Sequence, residues 1–347
     1  MTEIQKSSVP VLRVTGLHVD YHTSKGTAKA LRDVEFVIES GERVGLVGES
    51  GCGKSTLLKA VMGVLPGNGE VSAGRIELLG KNLLDMDTET RRKTRWAEIS
   101  MITQSALNAL NPVRRVNDQI IEAVRAHRPI SKADGDAMVQ RLFEMVGVSP
   151  ERANDYPHQF SGGMRQRAVI AMALALSPQM IVADEPTTAL DVIVQDQIFV
   201  RLRELQQQNG FALILVTHDL ALVAENCQKV MVMYAGTLVE AGPTEDVITA
   251  PKHPYTIGLI NAVSVLGSDK EPISIPGSPP DLSDKMDGCR FAPRCPLATA
   301  ICRETMPEAV ITQTGDASHL VRCHHWQDAE NFAARASDPS VWDKAAI

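Results

Sequence analysis

The segment Gly48-Glu-Ser-Gly-Cys-Gly-Lys-Ser55 constrains the fold more than any other part of this sequence. It follows the apolar run Arg43–Val47 directly and leads into a helical stretch. Glycines in this pattern let successive backbone N–H groups turn inward around a phosphate, and the helix that starts there adds the positive end of its dipole. Lys54 would reach the β- and γ-phosphates, and the Ser55 hydroxyl would ligate Mg²⁺. The segment therefore predicts a nucleoside triphosphate site between a strand and a helix.

Short apolar runs alternate with helical stretches along much of the remaining chain, which predicts an α/β fold with a mostly parallel sheet. These runs are Ile99–Ile102, Met180–Ala183, Leu213–Val216 and Val230–Met233. Between residues 10 and 47, β-prone runs separated by turns predict an antiparallel N-terminal part; they are Val11–Val14, Leu17–Tyr21 and Val34–Ile38.

The stretch from about 105 to 175 is predicted to be a helical insertion. Apolar residues at helical spacing form one stripe, consisting of Val139, Leu142, Phe143 and Val146. Ser131 and Asp134 resemble a capping box ahead of this stripe. Ser149-Pro150 offers a second helix start, with proline at the first helical position.

Composition and charge exclude several function classes. The formal net charge is −7, which argues against coating nucleic acid or anionic lipid by bulk charge. The longest apolar stretch, Ala168–Leu176, falls short of the roughly 18 residues of a membrane helix, and the N-terminus has no secretory pattern. We therefore expect a soluble cytoplasmic chain.

Two acids, Asp184 and Glu185, end the apolar run that begins at Met180. Asp184 would hold the Mg²⁺ shell. Glu185, on the other side of the strand, could polarise the attacking water. An acid pair at a strand end is more often merely solvated, but its combination with the phosphate loop favours the catalytic interpretation.

The segment Phe160-Ser-Gly-Gly-Met-Arg-Gln166 precedes a long helical run. Ser161 and the two glycine N–H groups would crown a helix N-terminus, which is a second anion site with a hydroxyl available for a γ-phosphate. A nucleotide bound within one chain does not require both this helix N-terminus and the one that follows the phosphate loop. A head-to-tail dimer explains both, with this element closing over the ATP of the other subunit.

Four of the six cysteines, Cys289, Cys295, Cys302 and Cys323, cluster near the C-terminus. In a reducing compartment, such clustering favours metal or cluster binding over disulfides. Four thiolates at loop-like spacing could bind a 4Fe–4S cluster. Zinc, with His324 and His325 as possible substitutes for a thiolate, and four unconnected thiols remain alternatives at this point.

Taken in order, these motifs resemble those of the ATPase subunit of an ABC transporter, over essentially the full length. The resemblance implies that Tyr21 stacks on adenine, that Gln104 senses Mg²⁺ and the attacking water, and that His218 contacts the γ-phosphate. It makes Ala189-Leu190-Asp191 the loop that crosses the dimer interface. Catalysis would then fall to Glu185, His218 and Gln104, and the Mg²⁺ would be held by Ser55, Gln104 and Asp184. The implied ATP-binding residues are Tyr21, Gly48, Ser50, Gly51, Gly53, Lys54, Ser55, Thr56, Ser161, Gly162, Gly163 and Asp191.

Three C-terminal segments resemble the extension of the oligopeptide/dipeptide importer branch of that family. They are His253–Ile260, Ile275–Pro280 and Cys289–Pro296. In that branch the cysteines are associated with a 4Fe–4S cluster, which the resemblance assigns to Cys289, Cys295, Cys302 and Cys323 in a structural role. We expect an ATPase domain over residues 1–264 and an extension over 265–347.

The resemblance also implies an assembly. Its other members would be a second ATPase subunit (a copy or a homologue), two membrane permeases and, indirectly, a solute-binding protein, with this chain peripheral on the cytoplasmic face of the inner membrane. Dipeptides or oligopeptides are the expected cargo, although relatives in the branch carry nickel, glutathione, opines or sugars.

Soluble ABC ATPases of DNA repair or translation are the distant alternatives. Gly48 and Ser161 are too close in the sequence for a long coiled coil between them, which argues against a DNA-repair ATPase of that kind. Only one ATPase cassette is present, which argues against a translation ATPase. No nucleic acid is expected as a partner.

Overall fold

The computed structural model describes residues 9–24, 26–104, 109–188, 190–262, 273–284, 286–314 and 317–343. Within these ranges the strands are β1 (Leu12–Thr23), β2 (Gly26–Ile38), β3 (Arg43–Val47), β4 (Gly69–Leu78), β5 (Lys81–Asn82), β6 (Ile99–Ile102), β7 (Met180–Asp184), β8 (Ala212–Val216), β9 (Lys229–Tyr234), β10 (Thr237–Pro243), β11 (Val310–Thr314) and β12 (Ala317–Val321). The helices are α1 (Lys54–Val61), α2 (Thr88–Ala97), α3 (Val116–Arg125), α4 (Lys132–Met145), α5 (Gly162–Leu174), α6 (Val192–Asn209), α7 (Leu220–Asn226), α8 (Thr244–Thr249), α9 (Pro254–Asn261), α10 (Ala300–Glu304) and α11 (Ala329–Ala333).

The chain forms two compact units. The first is built mainly from residues 78–216 and the second mainly from residues 13–37, 43–77 and 217–347. The phosphate loop belongs to the second unit, whereas Ser161 and Glu185 belong to the first.

In the first unit, β6, β7 and β8 form parallel pairs in that order. All three strands are almost completely buried, as the continuous apolar runs predict for parallel strands covered on both faces. The helical insertion is present as α3, α4 and α5, and Ser131 caps α4 by accepting a hydrogen bond from the Asp134 N–H at 3.1 Å. The side chains of Val139, Leu142 and Phe143 are buried, which confirms the predicted stripe.

In the second unit, the strand order is β11-β12-β10-β9-β3. β3 and β9 are parallel, whereas β9–β10, β10–β12 and β11–β12 are antiparallel. The C-terminal part of the chain therefore contributes two strands to the sheet that carries the phosphate loop. A separate sheet in this unit has the order β2-β1-β4.

The predicted α/β class is confirmed, with corrections of detail. Antiparallel pairing also comes from the C-terminal strands, which the sequence analysis did not predict. The runs Val11–Val14 and Leu17–Tyr21 fall, apart from Val11, within the single strand β1, in which Gly16 adopts a φ of 53° that glycine tolerates without steric cost.

A third correction concerns Ser149-Pro150. It starts only a short 3₁₀ helix, Pro150–Asn154, and the Ser149 side chain makes no capping bond. Pro157 lies a few residues on and disfavours helical backbone at Tyr156, so an α-helix has no room to extend.

Three predicted features lie outside the described residues: the boundary at 264/265, the first residues of the insertion at 105–108, and Ala189. Among the described helices, none is both long and apolar enough to span a bilayer.

Candidate functional site: the phosphate loop and its surroundings

The phosphate loop joins β3 to α1 in a backbone conformation that requires glycine. Gly48, Gly51 and Gly53 have φ values of 154°, 77° and 109°. A Cβ added at Gly48 would lie 2.1 Å from the Met233 carbonyl oxygen, so no other residue fits there. Gly53 is the N-cap of α1 and makes no side-chain capping bond. The backbone N–H groups at the start of the helix are therefore suited to donating hydrogen bonds to phosphate oxygens.

Lys54 folds back over this loop. Its Nζ donates to the carbonyl oxygens of Gly48 at 2.6 Å and Glu49 at 2.9 Å. The side chain is half-buried beside exposed Ser55. A cation held over a ring of backbone groups is suited to binding the charged oxygens of a polyphosphate.

Tyr21 lies against the first turn of α1. Its hydroxyl donates to Thr56 Oγ1 at 3.4 Å, and a Cβ added at Gly69 would lie 2.7 Å from its ring. His218 is exposed and precedes Asp219, which caps α7 by accepting from the Ala221 N–H at 2.8 Å. These residues share the second unit with the phosphate loop.

Glu185 stands at the end of β7 in a left-handed backbone conformation, with φ of 43°. Gln104 Nε2 donates to Glu185 Oε2 at 2.9 Å, and the Thr188 hydroxyl donates to the same oxygen at 3.1 Å. The structure thus brings two of the three predicted catalytic residues together and holds the carboxylate in one orientation. Asp184 is the adjacent residue and pairs in the sheet with Val216.

Ser161 is the N-cap of α5, where its Oγ accepts from the Met164 N–H at 3.3 Å. A Cβ at Gly162 would lie 3.0 Å from Leu190 Cδ2, and a Cβ at Gly163 would lie 2.6 Å from Val194 Cγ1. The two glycines therefore allow the start of α5 to pack closely against the segment containing Asp191. Asp191 in turn caps α6 by accepting from the Val194 N–H at 2.9 Å.

Three residues near the phosphate loop were missed by the sequence analysis: Glu49, Tyr255 and Arg294. The Glu49 N–H donates to the Tyr255 hydroxyl at 2.8 Å, and Arg294 Nη1 donates to Glu49 Oε2 at 2.8 Å. Burial raises the pKa of Tyr255, so that its hydroxyl stays neutral. Glu49 could have been recognised in the sequence as an acidic residue inside a loop that binds anions. Because such a carboxylate needs a cationic partner, its position indicates that a basic residue from elsewhere in the chain lies beside it.

The four C-terminal cysteines lie within electrostatic range of one another. Burial raises the pKa of Cys289 to about 11, with a further electrostatic contribution from nearby Cys302. Burial likewise raises the pKa of Cys323 to about 12, with contributions from Cys289 and Cys302. Burial also raises the pKa of Cys295, with further electrostatic contributions from the other three cysteines.

Hydrogen bonds hold this cysteine segment in place. The Cys289 N–H donates to the Cys302 carbonyl at 2.8 Å, and Cys323 Sγ accepts from the His325 N–H at 3.3 Å. His324 and His325 make other contacts, with the Thr305 carbonyl and the Thr299 hydroxyl respectively. Across the part of the chain that the structure describes, no three His, Cys, Asp or Glu side chains are grouped closely enough to hold a single metal ion.

The class of protein follows from three features: the phosphate loop in the second unit, and the Glu185–Gln104 pair and the Ser161 helix in the first. Together they are typical of α/β proteins that bind and hydrolyse nucleoside triphosphates. Comparisons with known proteins identify the family. Residues 31–188 match the family described as ABC transporter, and residues 239–302 match the C-terminal region of oligopeptide/dipeptide transporters.

Two relatives are similar over most of their length. The dipeptide transport ATP-binding protein DppD of Bacillus subtilis is 44% identical, over 90% of this chain and 94% of the relative. The oligopeptide transport ATP-binding protein OppD of Escherichia coli is 43% identical, over 88% of this chain and 94% of the relative. The chain belongs to the family of ABC transporter ATP-binding subunits, whose members couple ATP hydrolysis to transport.

A solved structure agrees with this assignment. The ATP-binding cassette MJ0796, a dimer bound to ADP and Pi, matches with a TM-score of 0.60 and 26% identity. The match covers 67% of this chain and 98% of the cassette.

Proposed function

We propose that this chain is the ATP-hydrolysing motor of an importer for dipeptides or oligopeptides. The observation that carries the proposal is the match of residues 239–302 to the C-terminal region of oligopeptide/dipeptide transporters, together with relatives named as dipeptide and oligopeptide transport proteins. The cargo does not contact this chain in the proposed assembly, so the relatives rather than a pocket support the peptide assignment.

ATP would bind with its phosphates in the loop and its adenine against Tyr21. Lys54 would neutralise the β- and γ-phosphates, and Ser55, Gln104 and Asp184 would hold the Mg²⁺. Glu185 would act as the general base for the attacking water, since the bonds from Gln104 and Thr188 fix its carboxylate. His218 would contact the γ-phosphate. The other proposed ATP-binding residues of the loop and helix α1 are Gly48, Ser50, Gly51, Gly53 and Thr56.

The nucleotide would be closed from the other side by a second ATPase subunit. That subunit would present the element matching Ser161, Gly162 and Gly163, with Asp191 at the interface. Two apolar side chains next to Asp191 support an interface there: Val192 and Ile193 are 79% and 71% exposed. Two transmembrane permeases would receive the motion, and this chain would lie on the cytoplasmic face of the membrane.

The donor chemistry of the C-terminal segment fits a 4Fe–4S cluster, which takes four cysteine thiolates as ligands. We propose Cys289, Cys295, Cys302 and Cys323 as those ligands, within an extension over residues 265–347 that follows the ATPase domain 1–264. Ligation requires deprotonated thiols, so loading would release protons from these buried groups.

Affinity purification of the tagged chain from native membranes tests the assembly and the cargo. We expect two multi-spanning permeases, a second ATPase and a solute-binding protein, and mass spectrometry of the binding protein's ligand should find peptides. A ligand such as nickel, glutathione or a sugar would replace the peptide assignment. Recovery of ribosomes or DNA alone would contradict the importer.

Anaerobic purification with iron analysis tests the cluster. The wild-type chain should carry iron and absorb near 400 nm, and Cys295→Ser should lower both. Cys227 is a matched control, because it is buried but lies outside the cysteine segment. A wild-type chain that contains zinc, or no metal, would contradict the assignment.

A further inference from the structure

All three polar groups of Glu49, in the phosphate loop, are held by other residues. Its carbonyl accepts from Lys54 Nζ at 2.9 Å, and its N–H donates to the Tyr255 hydroxyl at 2.8 Å. Its carboxylate accepts from Arg294 Nη1 at 2.8 Å. Two of the three partners come from the C-terminal part of the chain, beyond the residues that define an ATP site by motif.

Arg294 itself is fixed in position. Its side chain is 6% exposed, against 24% for Glu49. The Nε donates to the Pro276 carbonyl at 2.8 Å and Nη2 donates to the Ile275 carbonyl at 3.1 Å, so only Nη1 is directed at Glu49. The guanidinium carbon also lies 5.8 Å from the centroid of the Tyr234 ring. The fixed, planar guanidinium therefore places one positive charge beside one residue of the phosphate loop.

The Glu49 carboxylate is an unfavourable neighbour for a polyphosphate. A negative charge near the phosphates opposes ATP binding unless a cation compensates it, and partial burial strengthens that repulsion. Lys54 contacts the backbone of Glu49 rather than its carboxylate. Arg294 is the cation that forms an ion pair with this carboxylate.

We propose that Arg294 is a positioning residue for ATP binding: it neutralises Glu49 and, with Tyr255, holds the phosphate loop in the conformation that accepts the nucleotide. This inference rests on the proposed ATP site at Gly48–Thr56. It assigns to the C-terminal extension a direct part in nucleotide affinity, in addition to any cluster that the extension holds.

Arg290 provides a matched control. It lies in the same segment, is 7% exposed, and donates to the backbone carbonyls of Lys29 and Ala235. Arg290→Gln would disturb the packing of the segment to a similar degree and leave the Arg294–Glu49 pair in place.

The experiment is a double-mutant cycle on the full-length chain, with the Kd for Mg²⁺·ATP as the readout. Arg294→Gln should raise the Kd about 10-fold to 100-fold, because it exposes the phosphates to an unpaired carboxylate. Adding Glu49→Gln to that variant should restore most of the affinity. Adding Glu49→Gln to Arg290→Gln should not restore any ATP affinity that Arg290→Gln has lost. In the assembled transporter, Arg294→Gln should raise the KM for ATP far more than it lowers kcat.

The outcomes separate this inference from the proposed function. A wild-type chain that does not bind ATP would overturn both. A wild-type chain that binds ATP, with an Arg294→Gln variant of equal affinity or no recovery on adding Glu49→Gln, would overturn this inference alone.

Arg294→Lys serves if the glutamine variant does not fold, since lysine keeps the charge but lacks the planar guanidinium. Its Kd should rise less, and Glu49→Gln should abolish that rise. If Arg294→Lys raises the Kd and Glu49→Gln leaves that rise unchanged, the inference is overturned.

Discussion

Glu185 combines a strained backbone with a fixed side chain. Its φ of 43° is rare for a residue with a side chain and costs of the order of 1–3 kcal/mol, which the surrounding structure must offset. The bonds from Gln104 and Thr188 hold its carboxylate. Strain of this kind, at a carboxylate with fixed partners, is typical of a catalytic position.

At this residue, Glu185→Gln should slow ATP turnover by a factor of about 10² to 10⁴, the usual contribution of a general base. Glutamine keeps the shape and the bond to Thr188, so ATP binding should persist. Steady-state phosphate release from the assembled transporter measures the effect. Glu204→Gln is the control, because Glu204 forms an exposed ion pair with Arg201 that contributes little. Unchanged turnover in Glu185→Gln would contradict the assignment.

At the scale of elements, β3 and α7 approach so closely that no residue larger than glycine fits at position 45. A Cβ at Gly45 would lie 2.3 Å from Val223 Cγ1 and 2.8 Å from Val223 Cγ2. Val223 is completely buried, so it cannot move out toward solvent to relieve the clash. The close approach seats α7 directly on the strand that leads into the phosphate loop.

Gly45→Ala should therefore lower the free energy of unfolding by about 1–3 kcal/mol through overpacking. Adding Val223→Ala to that variant should cost less than Val223→Ala costs in the wild type, because it removes the clashing methyl groups. Urea unfolding measures all four proteins.

Gly67→Ala is the matched control for this cycle. Its Cβ would meet nothing within 4 Å, so stability should stay the same or rise slightly. Equal stability of Gly45→Ala and wild type would contradict the close approach.

The sequence predicted the elements whose signals are local. Apolar runs located β3 and β6 to β9, since a buried strand needs a continuous apolar stretch. The caps at Ser131 and Ser161 were also predictable, because a cap depends on residues within one turn.

Long-range features were not predictable in this way. The pairing of β12 with β10 and the bond from Arg294 to Glu49 depend on the path of the whole chain, which one sequence does not contain as a pattern. The φ of Glu185 likewise results from its tertiary surroundings. The residues predicted to carry the chemistry lie in short local motifs, whereas missed residues such as Arg294 are defined by long-range contacts.

For the whole molecule, stability should depend on the protonation of His253. This residue is 1% exposed and its Nδ1 accepts from the Tyr255 N–H at 3.1 Å, capping α9. Its backbone N–H donates to buried Glu240 at 3.0 Å. Burial lowers the pKa of His253 from 6.5 to about 3, so the folded protein keeps this ring neutral in mildly acidic solution.

Below pH 6.5 the unfolded chain binds a proton at His253 that the folded chain does not, so stability falls as the pH falls toward 3. His253→Asn removes this titration and keeps an acceptor for the cap. Between pH 7 and pH 5, wild type should lose about 2 kcal/mol more than His253→Asn. Urea unfolding at both pH values measures the difference, and parallel losses in the two proteins would contradict a buried neutral histidine.

The extension also carries part of the sheet. A chain ending at residue 264 lacks β11 and β12, which leaves the edge of β10 at Glu240 and Ala241 unpaired. It also lacks His319, whose Nε2 lies 2.7 Å from Glu240 Oε1 with both side chains completely buried. An exposed strand edge with unpaired backbone N–H and C=O groups promotes aggregation.

We therefore expect the 1–264 chain to be less soluble and to bind ATP more weakly than the full chain. Soluble yield and the Kd for Mg²⁺·ATP measure this. A soluble truncated protein with full ATP affinity would show that the ATPase domain is independent of its extension.

The pairing of Glu49 with Arg294 has a consequence for how the protein is made. The two residues are 245 positions apart, and a ribosome releases the phosphate loop long before the arginine that completes its contacts. We therefore expect newly made chains to stay poor ATP binders until synthesis is nearly finished, so that an incomplete subunit does not occupy a transporter in an ATP-bound state. Ribosome-stalled chains ending before and well after residue 294, probed with a fluorescent ATP analogue, should bind it tightly only in the longer form.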